Sequence, residues 1–184
     1  VGGGHAIVAV VVASSPDGVA LFAAATGLSL PVIALGADPR LWRTDPPIPA
    51  GTVLLIPPAL AHLSAEAVRI GCRPLVLPDD PEDEGDAVTP LRADGVVLFS
   101  SGSTGAPRAI FRPMQALVDG ARARAQGVGL RSGDGIITGV SLASGQGLTL
   151  MISTLLLGGP LGLLDPVDHR AALVTLAMPE FRFW

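Results

Sequence analysis

The chain has 184 residues, 49% of them apolar and 15% charged, with a mean hydropathy of +0.55, so it can bury a sizeable core and is more apolar than an ordinary soluble domain. Its formal charge of −4 is concentrated: Asp79, Asp80, Glu82, Asp83, Glu84 and Asp86 lie within eight residues, and without them the balance is 12 − 10 = +2. That distribution leaves no broad basic surface for nucleic acid and no basic amphipathic segment for a membrane, while the single Cys72 excludes an internal disulfide or a cysteine-based zinc site and fits a reducing, cytoplasmic setting.

The Val-rich run Ala6–Ala13 has no Lys or Arg before it and reads as a buried strand rather than a signal peptide. Gly2-Gly3-Gly4 precedes that strand, so it is not a dinucleotide-binding turn, which follows one. A helix is expected over Asp17–Thr26, closed by Gly27, and a strand over Pro31–Leu35. The proline-rich segment Ala37–Gly51, with Trp42 and Arg43, reads as a loop packed on the surface. Next come a strand at Thr52–Ile56, a helix at Ser64–Ile70 with Ser64 as its N-cap, and a strand at Pro74–Leu77. The acidic stretch Asp79–Pro90 reads as a solvated linker dividing the chain into portions 1–90 and 91–184; its spacing does not match a calcium loop.

After the linker, strands are expected at Gly95–Ser100, Gly135–Val140 and Pro160–Leu164, and helices at Pro113–Gln126, Leu148–Leu157 and Asp168–Met178. The helix Leu148–Leu157 is apolar all round and is expected to be buried. Gly147–Leu164 is uncharged and about long enough to span a bilayer, but Gly158-Gly159-Pro160 divides it into a helix and a strand. Continuous apolar runs alternating with helices imply an α/β fold with a largely parallel sheet flanked by helices.

Leu98 to Arg108 carries the chemistry. A buried strand runs into Ser100-Ser101-Gly102-Ser103-Thr104-Gly105-Ala106, followed by Pro107 and the cation Arg108. Hydroxyls offer donors to phosphate oxygens, glycines let the backbone approach an anion closely, and a guanidinium neutralises charge. A flexible linker needs neither the strand leading in nor the proline and cation leading out. The Gly-Lys-Ser/Thr triplet of the Walker loop is absent.

Phe99-Ser-Ser-Gly-Ser-Thr-Gly-Ala-Pro-Arg108 resembles the phosphate-binding signature of the adenylate-forming superfamily, which includes acyl-CoA synthetases, adenylation domains of peptide synthetases and firefly luciferase. Nine of the ten positions fit that family's pattern, and Arg108 stands where it has lysine. Arginine keeps the charge and binds phosphate bidentately, but is bulkier. Val8–Ala24 is similar to the family's first strand and helix, and Gly139–Asp165 to its acyl-pocket block. There Ser144 stands where many acyl-CoA synthetases have histidine; Ser144 and Gly147 read as acyl-pocket residues, with helix capping as an equally weighted account of Ser144.

The resemblance implies the N-terminal portion of the large domain of a ligase that activates a carboxylic acid with ATP and Mg2+, giving an acyl-adenylate for transfer to CoA or a carrier protein. Ser100, Ser101, Gly102, Ser103, Thr104, Gly105 and Arg108 would hold the nucleotide phosphates, with Thr104 and Arg108 acting in catalysis and no protein metal ligand. The family's adenine, ribose and catalytic-lysine segments have no counterpart here, and the chain has no tyrosine. It therefore looks incomplete at its C-terminus and is expected not to catalyse adenylation alone: more chain, a second copy or a completing partner would finish the site. The alternative is a truncated homologue serving as a binding or scaffolding subunit. His5, His62 and His169 lie far apart without a nucleophile-elbow context and receive no role, and Cys72 reads as a small buried hydrophobe.

Overall fold

The computed structural model describes residues 7–44, 47–78, 93–100, 107–164 and 169–183. Its contacts divide the chain into two compact units, Val1–Met114 and Gln115–Trp184.

The first unit is built on a six-stranded sheet. Its strands are β1 (Val8–Val11), β2 (Val32–Leu35), β3 (Val53–Ile56), β4 (Arg73–Val76), β5 (Gly95–Ser100) and β6 (Arg108–Pro113), in the order β4-β3-β1-β2-β5-β6. All neighbours are parallel except β5 and β6. The Val/Ile/Leu runs of β1 and β2 are buried along their whole length, as continuous apolar strands in a covered parallel sheet must be. β4 and β6 end the sheet on its two sides, and β6 is exposed throughout.

Helix α1 (Pro16–Thr26) follows β1. Ser15 caps it by accepting the Gly18 N–H at 3.2 Å, and proline opens it where no backbone donor is needed. Between β3 and β4 a 3-10 turn, Pro58–Leu63, runs directly into α2 (Ser64–Arg69). Ser64 is consequently not the N-cap expected from sequence: its hydroxyl donates back to the Ala61 carbonyl at 2.7 Å.

The segment after β2 also departs from expectation. Pro39–Trp42 forms a 3-10 turn, and Trp42 is only 1% exposed instead of lying on the surface. Its indole N–H donates to the Gly36 carbonyl at 2.8 Å, and its ring joins the cluster of Val11, Leu35, Ile56, Leu63 and Cys72. The largest apolar side chain of a polar segment thus nails that segment to the sheet. Burial pushes the Cys72 thiol above its ordinary pKa, in keeping with a structural residue and not a nucleophile.

The second unit contains α3 (Met114–Gly127, beginning on the last residue of the first), β7 (Gly135–Thr138), α4 (Gly145–Leu157), β8 (Leu161–Leu163), α5 (His169–Leu176) and β9 (Phe181–Phe183). β7 is central and parallel to both β8 and β9. Gly158 ends α4 in the left-handed conformation (φ +65°), and the Gly159 N–H bonds to the Thr154 carbonyl at 3.3 Å. The Gly-Gly-Pro element therefore separates helix from strand as its composition predicts, and among the described residues no helix is long and apolar enough to cross a membrane. α4 is buried at Leu148, Leu150, Met151 and Ile152, but Leu155 and Leu156 in its last turn are exposed, so its apolar sequence is not buried all round. Two strands, β6 and β9, were not anticipated, and β6 adds an antiparallel pair to the expected parallel sheet.

Candidate functional site

The Val-rich β5 delivers the chain to Ser100 at the end of the strand, and β6 returns it antiparallel. The register pairs Ser100 with Arg108, Phe99 with Ala109 and Leu98 with Ile110. Both described ends of the sequence-predicted phosphate loop are thus held side by side at the mouth of a hairpin, with Ser100 half-buried and Arg108 exposed. Ser101, Gly102, Ser103, Thr104 and Gly105 lie outside the described residues, as does the whole acidic stretch from Asp79 to Pro90. The β6 strand that fixes Arg108 was missing from the sequence reading.

At the start of the hairpin, Gly95 lies under the Phe111 ring: a Cβ there would stand 2.5 Å from Phe111 Cζ. The absent side chain lets the ring cover the strand, tying β6 to β5 at the end remote from the loop. Arg108 and Arg112 put two cations on this one edge strand.

Ser144 and Gly147 sit in the second unit, where β7 leads into α4. Ser144 is the N-cap of α4: its backbone is extended (φ −83°, ψ 158°) and its hydroxyl oxygen accepts the Gly147 N–H at 3.0 Å. Of the two accounts of Ser144, capping is the one with a visible bond. Gly147 is buried against the preceding turn; a Cβ would stand 2.7 Å from the Ser141 carbonyl carbon and 2.9 Å from Leu142 Cα. The first unit repeats the device, with Ser15 capping α1 through Gly18, whose Cβ would meet Ala13.

Ser144→Ala is expected to lose about 1 kcal/mol of stability in urea denaturation, and Ser144→Asp to retain most of it. Equal losses for both would show that the cap is not what Ser144 supplies.

Among the described residues no three His, Cys, Asp or Glu side chains group closely enough to hold a metal ion. His62 lies on the 3-10 turn before α2, and His5 is outside the described residues.

This architecture, a mostly parallel six-stranded α/β sheet edged by a hairpin, is that of the N-terminal domain of adenylate-forming enzymes. ATP-bound MatB from Rhodopseudomonas palustris superposes with a TM-score of 0.71 at 17% identity, over 94% of this chain and 38% of its own. O-succinylbenzoate CoA synthetase (MenE) from Bacillus subtilis in complex with AMP gives 0.69 at 16%, over 92% and 46%. A malonyl-CoA ligase with methylmalonyl-CoA and AMP bound gives 0.68 at 22%, over 93% and 37%. The chain therefore spans less than half the length of these relatives. No protein-family model and no curated protein sequence matches it. The sequence resemblance to the adenylate-forming superfamily is borne out at the level of fold, for the N-terminal part of those enzymes.

Proposed function

We propose that the chain supplies the phosphate loop and part of the acyl pocket of an ATP-dependent acid–thiol ligase. The observation that carries this reading is the hairpin: a hydroxyl- and glycine-rich connection whose cation, Arg108, is brought back beside Ser100, in a fold shared with enzymes solved in complex with AMP and ATP. The carboxylate oxygen of a small acid would attack the α-phosphorus of ATP; the new C–O–P linkage forms as the α–β bridge bond breaks, and pyrophosphate leaves with the electron pair.

Charge then builds on the departing oxygens, and fixed donors must meet it. Ser101, Ser103 and Thr104 would donate hydroxyl hydrogens, Gly102 and Gly105 backbone N–H groups, and Arg108 a two-pronged contact to the β- and γ-phosphates. Mg2+ would arrive with those phosphates and neutralise them, since the described residues hold no carboxylate cage. Ser144 and Gly147 would shape the acyl end through the α4 N-terminus. CoA or a carrier thiol would accept the acyl group, in a reducing cytoplasm consistent with the lone cysteine. More chain, a second copy or a completing partner would supply the rest of the site.

Carboxylate-dependent ATP–pyrophosphate exchange on the intact protein tests this. Thr104→Val is expected to slow exchange about 10²-fold or more. No exchange with a broad panel of acids would overturn the ligase reading, and an unchanged Thr104→Val rate would remove the hydroxyl from the role given to it. The second reading, a binding or scaffolding subunit, draws on exposed Leu155, Leu173 and Val174. It requires a native mass near 18.6 kDa and no exchange.

A further inference from the structure

The first unit carries a cationic pocket away from the described ends of the loop, Ser100 and Arg108, neither of which is among its described lining residues. It is a cavity of about 310 Å3 walled by Pro39, Arg40 and Arg43 from the 3-10 turn after β2, and by Glu66 and Arg69 from α2. Both walls are anchored in the core, the turn by buried Trp42 and the helix by buried Ala67, so the guanidinium stems start from fixed points.

Two of the three arginines are oriented by carboxylates that use only part of each fork. Arg40 gives Asp38 its Nε (2.8 Å) and Nη2 (2.7 Å), leaving Nη1 uncommitted. Arg69 gives Glu66 its Nη1 at 2.8 Å, leaving Nη2. Arg43 has neither a hydrogen bond nor an ion pair among the described residues. Among the described residues, three guanidinium groups against Asp38 and Glu66 leave a local balance of 3 − 2 = +1. A guanidinium with a free edge suits a tetrahedral oxyanion, which accepts from several donors at once.

We propose that Arg40, Arg43 and Arg69 form a second anion site that binds the phosphate group of a small phosphorylated molecule. The site draws on no residue of the loop and stands whether or not the ligase reading does.

Titration with inorganic phosphate at low salt, followed through the arginine side-chain N–H resonances, tests it in an Arg108→Ala background that removes the loop cation. Saturable shifts of the Arg40, Arg43 and Arg69 signals are expected. Arg43→Gln and Arg69→Gln should each weaken binding about tenfold, the equivalent of one charge-assisted hydrogen bond, whereas Arg112→Gln should leave it unchanged. All three sites are exposed, and retained amide spectra of the variants establish that they fold. Glycerol 3-phosphate run in parallel is expected to bind at least as tightly as inorganic phosphate; a site that takes the free ion but not the ester would overturn the assignment to a phosphorylated molecule. Non-saturating shifts, or the same affinity in Arg43→Gln and Arg69→Gln as in the parent, would overturn the site.

Discussion

Trp42→Ala is expected to cost about 3–5 kcal/mol of stability, read as a drop in the urea midpoint followed by circular dichroism. The ring is 1% exposed and belongs to a core cluster with residues from β1, β2, β3 and the turn before α2, so deleting it opens a cavity that a close-packed sheet cannot collapse to fill. The bond to the Gly36 carbonyl is lost as well, and with it the fixed course of the turn. Because Arg40 and Arg43 flank the tryptophan, the same variant should bind phosphate more weakly even where it remains folded. Trp42→Phe should recover most of the stability but not the indole hydrogen bond. A loss below about 1 kcal/mol for Trp42→Ala would contradict the packing described.

Gly147→Ala is the second large effect. A methyl group there meets backbone, not a side chain that could turn aside, so α4 has to move off the Ser141–Leu142 turn. Overpacking of this kind costs about 1–3 kcal/mol. The Ser144 cap, which accepts the Gly147 N–H, would be distorted in the same movement. If the α4 N-terminus shapes the acyl end of the proposed site, the exchange rate should fall by more than the loss of folded protein. Stability equal to the parent would refute the close approach.

Much of the fold was legible because the Val/Ile/Leu runs of β1, β2, β3, β5 and β7 are short, continuous and bounded by Gly or Pro, the pattern that a covered parallel strand imposes. β6 was not legible. Arg-Ala-Ile-Phe-Arg-Pro neither alternates nor runs apolar, because an exposed edge strand has no buried face to impose a pattern; its pairing with β5 is a tertiary fact. β9 is a three-residue strand that exists only beside β7. The segment around Trp42 reads as a loop packed on the surface because of its prolines, yet a loop can carry a single anchor into the core. The candidate site divides similarly. Its composition could be read directly, but the hairpin that returns Arg108 to Ser100 could not.

Arg108 also looks less singular against the whole chain. All twelve basic residues are arginine, so its standing where the signature it resembles has lysine follows a chain-wide choice of cation and is not a change peculiar to the loop.

The two outer strands have a bearing on how the molecule behaves in concentrated solution. β4 begins Arg73-Pro74, and β6 carries Arg108 and Arg112 and ends on Pro113. Free strand edges are templates on which other chains can add, and charge and proline are what discourage it. Arg108 and Arg112 thus guard this edge against fibrillar self-association. An edge left bare beside Ile110 and Phe111 would be the place where this protein starts to aggregate.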